Sequence, residues 1–213
     1  MKNHRRTKWL TTSMIAASTL VIWTESQASL IVLSAASFQS PAVTFSEVAL
    51  GTALDGLTIN GLTFSETISN TFVNAGGPGN TSNITQPSAL GNGNPTGEII
   101  TVTMNTLMSG FGFGYALLAG GTVADGVTIT LFDGAINLGS LVYSASPDPS
   151  FPGGFAGIGS TTAFNRAEIV FSGSAAAYDF DNVSVIAAVP EPASLALIGL
   201  GLAGLGITMR KKA

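Results

Sequence analysis

Carboxylates are the chief side chains of the central part of this chain that could do acid, base or metal chemistry. Between residues 29 and 188 there are ten: Glu47, Asp55, Glu66, Glu98, Asp125, Asp133, Asp148, Glu168, Asp179 and Asp181. The sequence has no cysteine, so thiol catalysis and thiolate metal sites are excluded. Its one histidine, His4, lies in the first few residues. Without a histidine in its body the protein has neither a Ser-His-Asp mechanism nor a His-ligated zinc. A glycosidase needs two acids roughly 5 to 9 Å apart in a cleft. Only Asp179 and Asp181 stand as a close pair, at the spacing that puts two side chains on one face of a strand. The other eight are scattered, which makes a carboxylate-based glycosidase the weakest of the readings considered.

Charge is distributed unevenly. Lys2, Arg5, Arg6 and Lys8 open the sequence and Arg210, Lys211 and Lys212 close it, leaving Arg166 as the sole base among the ten acids of the body. A surface this acidic repels phosphate backbones, so nucleic acid is not an expected partner. Arg166 is expected to pair either with Glu168, two residues on along the same strand face, or with an acid on a neighbouring strand.

The elements that must position these acids read as β-strands. The body is rich in Gly, Ser, Thr, Val, Ile and Phe. Strand character recurs over residues 42–48, 57–59, 62–68, 98–104, 112–118, 127–132, 138–144, 166–172 and 182–186. In Ile100-Thr101-Val102-Thr103-Met104 and Val127-Thr128-Ile129-Thr130-Leu131 apolar residues take every second place, as in strands with one face in a core. The expectation is an all-β, antiparallel β-sandwich of jelly-roll type, with a solenoid as the alternative. Asp55-Gly56 and Asp125-Gly126 predict two turns of one chemistry. Residues 74–97, with six glycines, three prolines, five asparagines and no charge, predict a long loop, and residues 145–159 a shorter one.

Both ends read as address labels. Residues 1–28 have a basic start, an apolar stretch over Trp9–Trp23 and a small-residue site at Ser26-Gln27-Ala28, which together predict a signal peptide cleaved after Ala28, with a second site after Ala36. At the other end Val189-Pro190-Glu191-Pro192 precedes an uncharged run, residues 193–209, and then Arg210-Lys211-Lys212. Seventeen helical residues span about 25 Å, a minimal transmembrane helix for a hydrocarbon layer of roughly 30 Å. The basic residues at both ends should stay cytoplasmic, with Arg210, Lys211 and Lys212 as the membrane stop, so that the body lies outside the inner membrane. The prolines flanking Glu191 hold the tetrapeptide extended, as a groove-binding substrate requires. The domain plan is therefore 1–28 signal peptide, 29–188 β-sandwich and 189–213 sorting signal.

The order of tetrapeptide, glycine-rich apolar run and terminal cations resembles the PEP-CTERM sorting signal of bacterial exopolysaccharide producers. The resemblance covers about the last 25 residues. It implies a protein exported across the inner membrane, anchored transiently by its C-terminal helix, and processed by an exosortase-type enzyme that recognises Val189, Pro190, Glu191 and Pro192. It also implies delivery to the cell surface or extracellular matrix, with exopolysaccharide as a further partner. More loosely, Val43-Thr44-Phe45-Ser46-Glu47 and Tyr178-Asp179-Phe180-Asp181-Asn182-Val183-Ser184-Val185 resemble the opening and closing of other PEP-CTERM proteins. In sandwiches of the carbohydrate-binding-module type, acids on the first and last strands share a structural calcium, which implies Ca2+ at Glu47, Asp179 and Asp181. Three functions follow as expectations: an exported envelope or matrix protein without a catalytic role, a carbohydrate-binding module with a structural calcium, and, least favoured, the glycosidase. A carbohydrate-binding module needs exposed aromatic platforms, for which Tyr115, Tyr143, Phe151, Phe155 and Tyr178 are the candidates.

Overall fold

The computed structural model describes residues 28–78, 81–93 and 96–189. The signal peptide, the transmembrane run and most of the sorting tetrapeptide lie outside the described residues. Ten strands make up the fold: β1 (Leu30–Val32), β2 (Thr58–Ile59), β3 (Leu62–Glu66), β4 (Thr71–Asn74), β5 (Ser88–Asn92), β6 (Ile100–Leu117), β7 (Val123–Asp133), β8 (Ile136–Pro147), β9 (Pro152–Phe171) and β10 (Ala177–Ala187). Every pairing between them is antiparallel, and no α-helix occurs among the described residues.

Two long strands, β6 and β9, organise the architecture. The first part of β6 pairs with β3 and with the last part of β9, and the second part pairs with β10 and the first part of β9. Their mutual register slips between Thr103↔Arg166 and Gly110↔Gly159, so both strands fold over at this point and pass from one layer to the other. One layer runs β2-β3-β6-β9-β7-β8 and the other β4-β5-β10-β6-β9-β1. Phe64 of β3 faces Phe180 of β10 across the gap, with ring centroids 6.5 Å apart, and Phe113, Phe171 and Phe45 complete the aromatic centre. All five rings are buried. Each buried ring contributes on the order of 2 to 3 kcal/mol through area removed from water, and edge-to-face pairs add more.

Composition therefore predicts the class correctly, while several boundaries move. Residues 42–48 are not a strand; a single bridge, Val43↔Val183, holds this segment beside β10, and a turn closed by Glu47 follows. The expected long loop over 74–97 contains β5, and the expected loop over 145–159 is mostly the end of β8 and the start of β9. Glycine misleads in both places because here it serves contact between neighbours. A Cβ on Gly153 would lie 2.5 Å from the Tyr115 carbonyl oxygen, and one on Gly157 would lie 2.4 Å from that of Leu33. Asp55-Gly56 does form a turn, with Gly56 at φ 79°, but Asp125-Gly126 lies within β7 where the register to β8 shifts. Arg166 pairs with Glu168 as expected, and its guanidinium also lies 3.8 Å from the centre of the Phe132 ring.

Candidate functional site

Strand β10 carries the close pair of acids with both side chains pointing away from the aromatic core. Tyr178 and Phe180 face inward, while Asp179 and Asp181, the alternate residues, point to the outer face of the second layer. Both acids are nonetheless fully buried, because the polar chain between β4 and β5 folds across them. Asn83 sits so close to β6 that a Cβ on Gly114 would lie 1.9 Å from its carbonyl oxygen. The Ser88 hydroxyl donates to Asp179 Oδ1 at 2.7 Å, and the Gln86 amide lies 3.5 Å from Oδ2. The Thr85 backbone N–H donates to Asp181 Oδ2 at 3.0 Å. Asp181 Oδ1 is buried without a hydrogen-bond partner. Burial pushes the Asp181 carboxyl up to about 7, the Thr85 and Asn182 N–H groups oppose that shift, and the Glu47 charge adds to it.

Glu47 stays at the surface, where its carboxylate accepts from the Thr44 N–H at 3.1 Å and from the Thr44 hydroxyl at 3.2 Å. The three acids are thus neighbours in pairs rather than a cage. Among the described residues no group of three acids or histidines is placed to hold a metal ion. Next to Asp181, Asn182 adopts a left-handed backbone (φ 54°) at the register break of β10, a conformation that asparagine tolerates, and its amide donates to the Asn83 carbonyl at 2.9 Å.

Beside this covered face lies a cavity of about 300 Å³. Phe38 and Phe155, with ring centroids 5.6 Å apart, form its apolar wall, and Gln39, Asn83, Asn182 and Ser184 supply amides and a hydroxyl. Charged side chains do not line it. Of the other aromatic candidates, Tyr115 and Tyr178 are buried in the core and present no platform. Tyr143 is half-buried, with its hydroxyl donating to the Gly157 carbonyl at 2.7 Å.

A second carboxyl pair, not foreseen from the sequence, lies where β3 ends and β6 begins. Glu66 ends β3 and Glu98 precedes β6, so the pairing of Glu66 with Ile100 brings the two acids together. Glu98 is 2% exposed, with the Glu66 carboxyl and the Tyr178 hydroxyl as its hydrogen-bonding neighbours. The Thr71 N–H donates to Glu66 Oε2 at 3.3 Å, and Thr71 and Tyr178 share a buried hydroxyl contact at 2.7 Å. Burial raises both carboxyls, and repulsion from Glu98 adds to the shift of Glu66, which rises to about 7. The only signal that could have exposed this pair was the register of β3 on β6, which sequence alone does not fix.

At the C-terminus the fold ends where the tag begins. Strand β10 stops at Ala187, the Ala188 N–H donates to the Leu107 carbonyl at 3.0 Å, and Val189 is 87% exposed. Residues 188–212 match the family description of a PEP-CTERM protein-sorting motif. The chain carries a PEP-CTERM sorting signal. Such a signal implies export, transient membrane anchoring by the C-terminal region and exosortase processing. No curated protein matches the sequence. Among solved structures, a family 29 carbohydrate-binding module is similar at 10% identity and a TM-score of 0.39, covering 80% of this chain and 99% of that one. A mutant of the same kind of module complexed with cellulohexaose reaches 0.40 at 10% identity, over 76% and 93%. The enzymatically active domain of bacteriophage CBA120 tailspike protein 4 reaches 0.38 at 17% identity, over 63% of this chain and 22% of that chain.

Proposed function

We propose that this PEP-CTERM protein is a cell-surface or matrix component whose jelly-roll-like body has no catalytic role. In this reading residues 1–28 are removed after Ala28, residues 29–188 form the delivered domain, and Arg210, Lys211 and Lys212 stop the helix in the membrane before the tag at Val189, Pro190, Glu191 and Pro192 is processed. The observation that carries it is the exposed Val189, two residues beyond the last strand and at the head of the matched motif. Cleavage after Ala28 rather than Ala36 is supported by β1, since Leu30–Val32 pairs in register with β9 and would be lost with the later cut. Mass spectrometry of the mature protein from its own host tests the reading. A product beginning at Ser29 and lacking the terminal cations is expected, whereas recovery of an intact Arg210-Lys211-Lys212 end would overturn it.

Calcium enters the proposal in a narrower form than the three-acid set. Asp179 already takes the Ser88 hydroxyl, whereas Asp181 keeps one buried oxygen free of donors, and Glu47 is the nearby acid whose charge it feels. Asp181 and Glu47, with surrounding carbonyls, would hold the ion, which favours oxygen ligands. Such an ion would tie the segment before β2 to the last strand. Melting in calcium and in chelator measures this; identical curves remove the ion from the account.

The Phe38–Phe155 cavity favours a second reading, contact with an uncharged glycan, because an apolar ring wall bordered by amides suits a neutral sugar. Retardation in a polysaccharide affinity gel, abolished by Phe155→Ala, is the expected result.

A further inference from the structure

The two ends of the described fold leave it side by side. The Ser29 N–H donates to the Thr161 hydroxyl at 2.9 Å and the Thr161 N–H donates back to the Ser29 carbonyl. The Ala188 N–H is bound to Leu107. Thr161, Leu107, Ala188 and Val189 all line one groove of about 820 Å³ at the end of the sandwich where β6 and β9 fold over. The register break leaves residues 104–107 without partners on β9, so the β6 backbone bulges here and Leu107 stands 50% exposed.

Charge sets this groove apart from the rest of the surface. None of the groove residues is charged, although the body carries ten acids. Between Ala187 and the first residue of the apolar run, Ala193, there are five residues. Fully extended, the six steps from Ala187 to Ala193 reach at most about 22 Å, at roughly 3.3 to 3.6 Å per residue. Val189, the first residue of the tag, itself lines the groove, so any enzyme that grips residues 189–192 works within about 20 Å of it.

We propose that the uncharged groove around Leu107, Ser109, Thr161 and Ala163 is a docking surface for the membrane-bound enzyme that processes the sorting signal. The inference rests on the sorting reading given above and adds to it a face of the folded domain. The partner surface it fits is apolar, with hydrogen-bonding groups for the hydroxyls of Ser109 and Thr161. Recognition then has two parts: the extended tag enters the enzyme's peptide groove, and the folded end of the domain seats beside it. A body that failed to fold would lack the second part, so processing would select folded protein.

The test uses the full-length chain with its processing enzyme, following conversion of the anchored precursor by pulse-chase. Leu107→Glu places a charge in the groove, and Leu118→Glu places the same charge at a comparably exposed leucine at the other end of the sandwich, where β6 finishes. Melting of both variants is measured first, and both are expected to match the parent because both leucines are exposed. Processing of Leu107→Glu should slow about tenfold or more, while Leu118→Glu keeps the parental rate. Equal rates for the two variants, fast or slow, overturn the proposal. The same pair is then compared in detergent-solubilised enzyme: a defect that persists supports docking on the enzyme, and one that vanishes assigns the groove to lipid and overturns it. Failure of the parent chain itself to be processed would instead sink the sorting reading, so the two failures are distinguishable.

Discussion

The two ends of the sandwich are built from the same strands and differ sharply in chemistry. At the end where β6 and β9 fold over, the groove lining is hydroxyls, an amide and apolar side chains, and both ends of the described fold lie beside it. At the far end, Asp55, Glu66, Glu98, Asp125 and Asp148 crowd the strand ends and turns. Two of these acids are pressed together out of water with no base beside them, since Arg166 lies with Glu168 and Phe132 instead. The difference suggests where stability is concentrated and where it can be altered without cost.

The largest effect should come from the centre that both ends share. Phe180 touches Phe45, Phe64, Phe113 and Phe171, and is fully buried. Phe180→Ala is expected to cost about 3 to 5 kcal/mol, as large-to-small core changes do. Urea denaturation measures it, and a loss below about 1 kcal/mol would mean that the two layers do not depend on this ring. Against that scale Leu107→Glu at the uncharged end should lie within about 0.5 kcal/mol of the parent, as exposed substitutions usually do.

A pH series separates the two ends next. The Glu66 carboxyl is raised from 4.5 to about 7 in the folded protein, that of Glu98 is raised as well, and Asp181 is raised from 3.8 to about 7. Folded-state values above unfolded ones mean that the native protein holds more protons, so the stabilising contribution is complete below the unfolded values and is lost as pH rises through the folded ones. The midpoint in urea should therefore fall between about pH 4.5 and pH 8. Glu98→Gln removes one charge of the far-end pair and should flatten that fall. A midpoint that rises over the same interval would contradict the burial of this pair.

How much of this was readable in advance differs between the body and its tail. The alternation in residues 100–104 and 127–131 marks strands with one buried face, and those strands are present. The sorting tag is legible because its chemistry is local: two prolines around a glutamate, an apolar run and terminal cations need no fold to be recognised. The Glu66–Glu98 pair was hidden because it depends on register between segments some thirty residues apart. Glycines such as Gly153 and Gly157 misled because a missing side chain reads as a loop from sequence, whereas here it marks strands whose neighbours approach too closely for a Cβ. The Phe38–Phe155 wall was half visible, since Phe155 was a candidate platform and Phe38 lies outside any predicted strand.

The smallest effect concerns the sole base of the body, which sits on β9 at the last pair before the strands fold over. Arg166 on β9 reaches Glu168, lies over Phe132 and donates to the Gly134 carbonyl at 3.4 Å in the β7–β8 hairpin. Its side chain is 28% exposed and that of Glu168 24%, so water screens the ion pair and its net value is modest. The stacked ring adds on the order of 0.5 to 1 kcal/mol. Arg166→Ala should therefore destabilise by about 1 kcal/mol, and Arg166→Lys should recover less than half of that because an ammonium lacks the flat face that lies on Phe132. The loss should be nearly independent of salt if the ring contact dominates and should shrink markedly in 0.5 M salt if the ion pair does. Full rescue by lysine would assign the arginine to charge alone, and would leave the hairpin end of the sandwich held by its strand pairing rather than by this side chain.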